Sequence, residues 1–276
     1  MASQLLKGKR GIIFGALDER SIAWKTALAA HAEGAELVLT NAPIALRMGK
    51  INELSKLCGD APVIPADATS LPDIEQLFEK SMEALGGKID FVLHSIGMSP
   101  NVRKNISYTD TNYDNFHKTL DISGLSLHRI LQTAMKMDAL NKWASVVALS
   151  YIAAQRSFPG YNDMADAKAL LESIARSFGY HYGFKNKVRV NTISQSPTVT
   201  TAGSGVSGFD AFLSYAEKMS PLGNASSEDC ANFCIALFSD YTRMITMQNI
   251  FHDGGFSMTG VSQAIVEDEQ KNAPHE

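Results

Sequence analysis

Ser150-Tyr-Ile-Ala-Ala-Gln-Arg-Ser-Phe-Pro-Gly-Tyr-Asn-Asp-Met-Ala-Asp-Ala-Lys168 is the stretch whose reading decides the fold. It follows a continuously apolar run, Trp143 to Leu149, with the character of a buried strand. Pro159-Gly160 then breaks the chain, and a pattern rich in Ala, Leu and Met predicts a helix from Tyr161 to Gly183. Tyr161 and Lys168 stand seven positions apart. Seven helical steps fall about 20° short of two turns, so both side chains share one face. A phenol and an ammonium beside a strand end can make an acid, because the cation favours the phenolate and lowers the tyrosine pKa from about 10. A plainer account of the same residues is a half-buried aromatic and a solvated helix lysine. The surrounding chain decides between them.

Outward from this stretch, short β-like runs alternate with longer helical patterns. The runs are Gly11–Phe14, Glu36–Thr40, Pro62–Pro65, Phe91–His94, Ala144–Leu149, Val188–Ile193 and Ile245–Phe251. Helical patterns cover Ser21–Glu33, Ile51–Leu57, Leu71–Leu85, Tyr113–Met137, Tyr161–Gly183 and Glu228–Phe238. Most strand runs are apolar throughout, as when helices cover both faces of a parallel sheet. The expected fold is therefore α/β, a Rossmann-like doubly wound parallel sheet in a single domain over residues 1–276, with right-handed crossovers. The acidic, polar tail from Val266 to Glu276 is expected to fray.

Composition narrows the function classes. Across 276 residues, apolar types make up 45% and charged types 20%, ordinary for a globular protein with a large core. A net charge of −4 argues against a nucleic-acid surface. No run is long and apolar enough for a membrane span, and the N-terminal residues do not read as a secretory leader. Cys58, Cys230 and Cys234 match no disulfide or zinc spacing. They read as core thiols in a reducing cytoplasm, with no metal site.

Residues suited to a dinucleotide fall at successive strand ends. Gly15 stands where the first strand must turn toward a helix starting near Ser21, and a helix start is a natural pyrophosphate seat. The full three-glycine fingerprint is absent, since Ala16, Asp18 and Ser21 occupy the neighbouring positions. After the second strand there is no acidic residue for the adenosine ribose; Asn41 could bond it, while Arg47 and Lys50 lie further along the chain. Asp67 could accept from an adenine amino group or cap a turn. Ser95-Ile96-Gly97-Met98 places small, backbone-exposing residues where a nicotinamide would lie. Finally, Ser194–Gly208 is rich in Gly, Ser and Thr directly after a strand, which suits a lid over the ligand crevice.

With these residues assembled, the chain from about Leu6 to Ser257 resembles the enoyl-acyl-carrier-protein reductases of bacterial type II fatty acid synthesis, a divergent branch of the short-chain dehydrogenase/reductases. The marks are Gly15-Ala16 with Ser21-Ile22-Ala23, His94-Ser95-Ile96-Gly97, Asp121-Ile122-Ser123, Leu149-Ser150-Tyr151, Tyr161-x6-Lys168, Val188-Arg189-Val190-Asn191 with Ile193-Ser194 and Pro197, and Asp253-Gly254-Gly255-Phe256. The superfamily's usual Tyr-x3-Lys is absent because position 165 is Ala. The resemblance implies NAD(P)H-dependent reduction of the carbon–carbon double bond of trans-2-enoyl thioesters on acyl carrier protein, the last step of the fatty acid elongation cycle, by a cytoplasmic homotetramer, with NADH expected over NADPH. It gives Tyr161 the acid role, Lys168 the nicotinamide-ribose hydroxyls and Tyr151 a place near substrate. It adds Ile22, Ala68, Leu149, Pro197, Val199 and Thr200 to the cofactor site. Gly97, Met98, Ser99, Tyr151, Tyr161, Met164, Ala202 and Phe209 would face the enoyl chain, and Thr200–Phe209 would be a substrate-ordered lid. Two departures stand out: Ser207, Asp210 and Ala211 lie where relatives often carry basic residues toward the carrier, and the adenosine end lacks the cations of NADPH users. A carbonyl reductase of the same superfamily and a non-catalytic dinucleotide sensor are the alternative readings.

Overall fold

Strands of mostly apolar, β-branched and leucine residues form one parallel six-stranded sheet, with order β2-β1-β3-β4-β5-β6. The computed structural model describes residues 3–200 and 208–272. The strands are β1 (Arg10–Phe14), β2 (Glu36–Thr40), β3 (Ile89–His94), β4 (Leu140–Ser150), β5 (Arg189–Gln195) and β6 (Asn249–His252). Between them run α1 (Ile22–Ala32), α2 (Pro43–Met48), α3 (Ile51–Leu57), α4 (Leu71–Ala84), α5 (Pro100–Arg103), α6 (Tyr113–Leu120), α7 (Ser126–Lys136), α8 (Asn162–Asn186), α9 (Phe209–Met219) and α10 (Ser227–Phe238), with α11 (Gln263–Asn272) last.

Alternating side chains of each strand enter two separate apolar layers. Ile12, Val38, Val92, Val146 and Val190 pack with Leu77, Leu131 and Leu171, from α4, α7 and α8. Ile13, Leu39, Phe91, Val147 and Ile193 pack on the other face with α1, α3 and α10, where Phe91 and Phe238 stack at 4.4 Å. Helices thus cover both faces, as the continuous apolar runs require. Cys230 and Cys234 are fully buried in this second layer, so both are core thiols.

Four expectations need correction. Pro62–Pro65 is not a strand: it makes a single bridge, Leu39 to Val63, beside β2. Prolines at both ends remove two ladder donors, which limits pairing at this edge. The last strand starts at Asn249 rather than Ile245, because Met247 turns the backbone through φ +64° first. The helix expected over Tyr113–Met137 contains a π-helical turn at Asp121–Leu125. There Gly124 packs so close to α8 that a Cβ would lie 3.2 Å from the Ala167 carbonyl. The C-terminal segment is helical through Asn272, with Lys218 of α9 paired to Asp268.

Candidate active site

Strand order reverses between β1 and β3, so the ligand crevice of this fold lies at their carboxyl ends. Gly15 leaves β1 with φ +93°, and a Cβ there would sit 2.0 Å from the Ser95 carbonyl oxygen. Only glycine lets these two strand ends meet. Ser21 caps α1, its Oγ accepting from the Trp24 N–H and donating to the Asp18 carbonyl. The first turn of α1, beginning at Ile22, carries no acidic residue. Beyond the Ser21 cap, the N–H groups and positive dipole end of that turn suit a pyrophosphate.

The adenosine end is arranged differently from the expectation. Asn41 donates from Nδ2 to the Ala16 carbonyl at 3.1 Å, and its Oδ1 accepts from the Ala42 N–H at 2.9 Å. The side chain braces β2 against the glycine turn, leaving one amide hydrogen for a ligand. Lys50 is not remote: its N–H donates to the Leu17 carbonyl, which brings it beside that turn. Its ammonium is paired with Glu19 at 2.9 Å. Asp67 Oδ1 accepts from the Thr69 N–H and hydroxyl, so it caps the turn in which Ala68 is buried.

Lys168 occupies the centre. Its Nζ donates to the Leu149 carbonyl at 2.7 Å and points to the Ile96 carbonyl at 3.4 Å, joining the ends of β4 and the β3 loop. A Cβ on Gly97 would lie 3.7 Å from Nζ and 3.9 Å from Met164 Cε, so the glycine keeps the space above the lysine open. An ammonium has three hydrogens, and the third is available to a ribose hydroxyl. Burial pushes the Lys168 pKa down to about 8. Met164 in turn packs with Val102, Ala167 and Tyr161. The rings of Tyr161 and Tyr151 lie 5.0 Å apart.

The expected lowering of the Tyr161 pKa is overturned. Burial, with a smaller contribution from Tyr151, pushes the phenol above its ordinary value. Tyr161 caps α8 at the end of a tight loop, and desolvation there outweighs any help from Lys168. The phenol is therefore protonated at neutral pH, a donor rather than a phenolate. His94, buried on β3 with Nε2 2.8 Å from the Ser126 hydroxyl, is held neutral by a pKa of about 3.

The loop after β3 is anchored from below. Ser123, in the π turn, accepts from the Met98 N–H and donates to the Met98 carbonyl. Ser99, expected at the substrate, instead donates its hydroxyl to Asp163 at 2.6 Å and caps α5. Asp163 also accepts from Asn101 and Thr119, both at 2.8 Å. Ser99 and Ser123 were named from sequence but not as anchors, because their bonds to Asp163 and Met98 join segments at least 20 residues apart.

Around the tyrosines lies an aromatic wall. Phe158 meets Tyr151 at 5.3 Å, Phe212 at 6.0 Å and Phe256 at 6.1 Å. Phe209, expected to line the pocket, is half-buried at the start of α9, and Phe212 one turn on supplies the ring contact. Pro197, Val199 and Thr200 follow the carboxyl end of β5, with Val199 exposed. Ala202 and the centre of the expected lid lie outside the described residues.

A family model described as enoyl-(acyl carrier protein) reductase matches residues 15–257. The NADH-dependent enoyl-[acyl-carrier-protein] reductase 1 of Rhizobium meliloti is 36% identical over 261 residues, 94% of each chain. Among solved structures, the FabI–NADH complex of Alistipes finegoldii is 62% identical with a TM-score of 0.93, over 95% of this chain and 92% of that one. The NADH-type reductase of Aquifex aeolicus is 33% identical with a TM-score of 0.85, over 93% and 99%. The family model spans most of the chain and the identities run above 30% over nearly its whole length: the chain belongs to the enoyl-acyl-carrier-protein reductase family.

Proposed function

We propose that this chain reduces the carbon–carbon double bond of trans-2-enoyl thioesters carried on acyl carrier protein, the last step of the fatty acid elongation cycle, with NADH as reductant. The observation that carries the reading is Lys168 between the Leu149 and Ile96 carbonyls, directly beneath Gly97, with the Tyr151–Tyr161 pair alongside. The residues fit a dinucleotide: Gly15 leaves room for a close backbone approach, and the α1 N-terminus faces the same crevice. When bound, NADH supplies the hydride that adds to the β-carbon.

The protein's part follows from where charge develops. Hydride addition pushes electrons onto the thioester oxygen, and a donor aimed there lowers the barrier by roughly 3–4 kcal/mol. Tyr161, protonated at neutral pH, is that donor. Lys168 holds the nicotinamide ribose through its remaining hydrogen, and Tyr151 forms the adjacent wall of the substrate pocket. The aromatic ring of Phe158, Phe212 and Phe256 keeps water from the acyl chain. The proton that completes the product at the α-carbon comes from Tyr161 or a water relayed through it.

The partners follow the same reading. The carrier docks away from the outer face of α9, whose lysine, Lys218, is engaged by Asp268. Further copies of the chain, as a cytoplasmic homotetramer, would cover the apolar side of α8, where Phe184 is 74% exposed beside Tyr180. No helix among the described residues is long and apolar enough to cross a membrane. The test is NADH oxidation with crotonyl and longer enoyl thioesters, on coenzyme A and on carrier protein, against a panel of ketones. Turnover of ketones in preference to enoyl thioesters would replace the reading with a carbonyl reductase.

A further inference from the structure

Glu172 stands one helical turn beyond Lys168 on α8, on the same face of the helix. It is 4% exposed, and both of its oxygens are engaged. Oε1 accepts from the Ser150 hydroxyl at 2.7 Å, and Oε2 accepts from the Gln155 amide at 3.0 Å. Those two donors bracket Tyr151 and the short 3-10 turn Ile152–Ala154. Ser150 also ends β4 immediately after Leu149, whose carbonyl holds Lys168. One buried carboxylate therefore touches both ends of the segment that presents Tyr151, one turn from the lysine.

Two neutral donors do not compensate a buried carboxylate; it needs a counter-charge. Its helix face offers Lys168 one turn before and Arg176 one turn after; Arg176 is exposed, Lys168 is buried, and Glu172 raises the Lys168 pKa against burial. Among the described residues, His94 on β3 also senses this lysine and is neutral, and the Tyr151–Tyr161 pair alongside is protonated at neutral pH. From β4 and the β3 loop, Lys168 hydrogen-bonds the Leu149 and Ile96 carbonyls.

We infer that Glu172 is a positioning residue for the reduction: its carboxylate pins the Tyr151 turn and holds Lys168 as an ammonium. The inference rests on the roles proposed above for Lys168 and Tyr151. It predicts that removing the charge and removing the tie have different signatures.

The experiment uses the full chain and follows kcat/KM for NADH against pH, which reports groups of the free enzyme. Activity requires the ammonium, so the wild-type profile falls as pH rises through about 8. Glu172→Gln keeps the shape but removes the charge that favours the ammonium, so the limb moves to lower pH by about one unit or more. At pH 9 the loss relative to wild type is then about tenfold. Ser150→Ala with Gln155→Ala removes the tie and keeps the charge: the limb stays, while KM for the enoyl thioester rises severalfold. A Glu172→Gln limb superimposed on the wild-type limb overturns the inference. Lys168→Arg separates this from failure of the parent reading, because a guanidinium does not titrate in this range. A limb that survives Lys168→Arg does not belong to Lys168 and overturns the charge role of Glu172, while the enoyl-reductase reading stands or falls on its own substrate panel. A limb that vanishes there but ignores Glu172→Gln overturns the Glu172 role alone. Should Glu172→Gln fail to fold, Glu172→Asp carries the test. It keeps the charge and strains the tie, so the limb should hold its place while kcat falls; a limb displaced by a unit refutes the charge role.

Discussion

Replacing Asp163 by alanine tests how the substrate loop is held. The carboxylate is wholly buried, with Oδ1 2.6 Å from the Ser99 hydroxyl and Oδ2 2.8 Å from both the Asn101 amide and the Thr119 hydroxyl. These donors are not equal. Thr119 also lies 2.9 Å from the Asn115 carbonyl, and Asn101 has Thr111 and Asn112 as further acceptors. The Ser99 hydroxyl has no other acceptor among the described residues. Asp163→Ala therefore orphans one buried hydroxyl fully and weakens two other contacts. At about 1–3 kcal/mol for an orphaned donor, plus a partial cost at the others, the expected loss is about 2–4 kcal/mol. For a chain of this size that corresponds to a fall of about 3–7 °C in Tm. Urea unfolding, followed through the buried Trp24, gives the free energy directly. The double variant Asp163→Ala/Ser99→Ala removes donor and acceptor together, so its loss should fall short of the sum of the single losses by about 1–2 kcal/mol. Full additivity, or a single-variant loss under about 0.5 kcal/mol, would refute the argument that Asp163 anchors the loop.

Tyr161→Phe keeps the ring but removes the donor; kcat should fall by roughly tens- to a thousandfold with NADH Kd nearly unchanged, and Tyr151→Phe should do less. The reverse order of damage would move the acid to Tyr151. Gly15→Ala drives a Cβ to 2.0 Å from the Ser95 carbonyl, so calorimetric NADH affinity should drop at least about tenfold; an unchanged Kd would mean the crevice widens freely. NADH should be preferred to NADPH by kcat/KM, since Asn41 is neutral and Lys50 is held by Glu19. Glu19→Gln frees that ammonium and should narrow the preference severalfold, whereas no change would place Lys50 out of reach of the 2′-phosphate.

Much of the architecture was legible because its code is local. Apolar runs such as Gly11–Phe14 and Phe91–His94 mark strands buried on both faces through their shortness and unbroken apolar character, and the Tyr161–Gly183 pattern marks a helix through the 3.6-residue turn. Gly15 could be read because a strand-to-helix turn demands a residue without a side chain. Tyr161 and Lys168 could be paired because helix geometry alone puts them on one face. Some missed elements carried a local signal as well: Pro43 at the first turn of α2 marks a helix start.

What sequence spacing could not settle was who meets whom across the fold. Pro62–Pro65 has strand-like residues, yet whether it joins the sheet depends on donors its neighbour must find. The π turn at Asp121–Leu125 exists where α8 presses on Gly124, a contact between distant segments. Lys50 lies 35 positions beyond Gly15 in the chain, but α2 and α3 fold it back beside the glycine turn. Asn41 had a free amide on paper, yet it donates one hydrogen to Ala16 and accepts from Ala42, which leaves a single hydrogen for a ligand. The direction of the Tyr161 shift was misjudged for the same reason. Helical phase places a cation near the phenol, but the pKa depends on how much water the packed aromatics remove, and that is set by the whole tertiary structure.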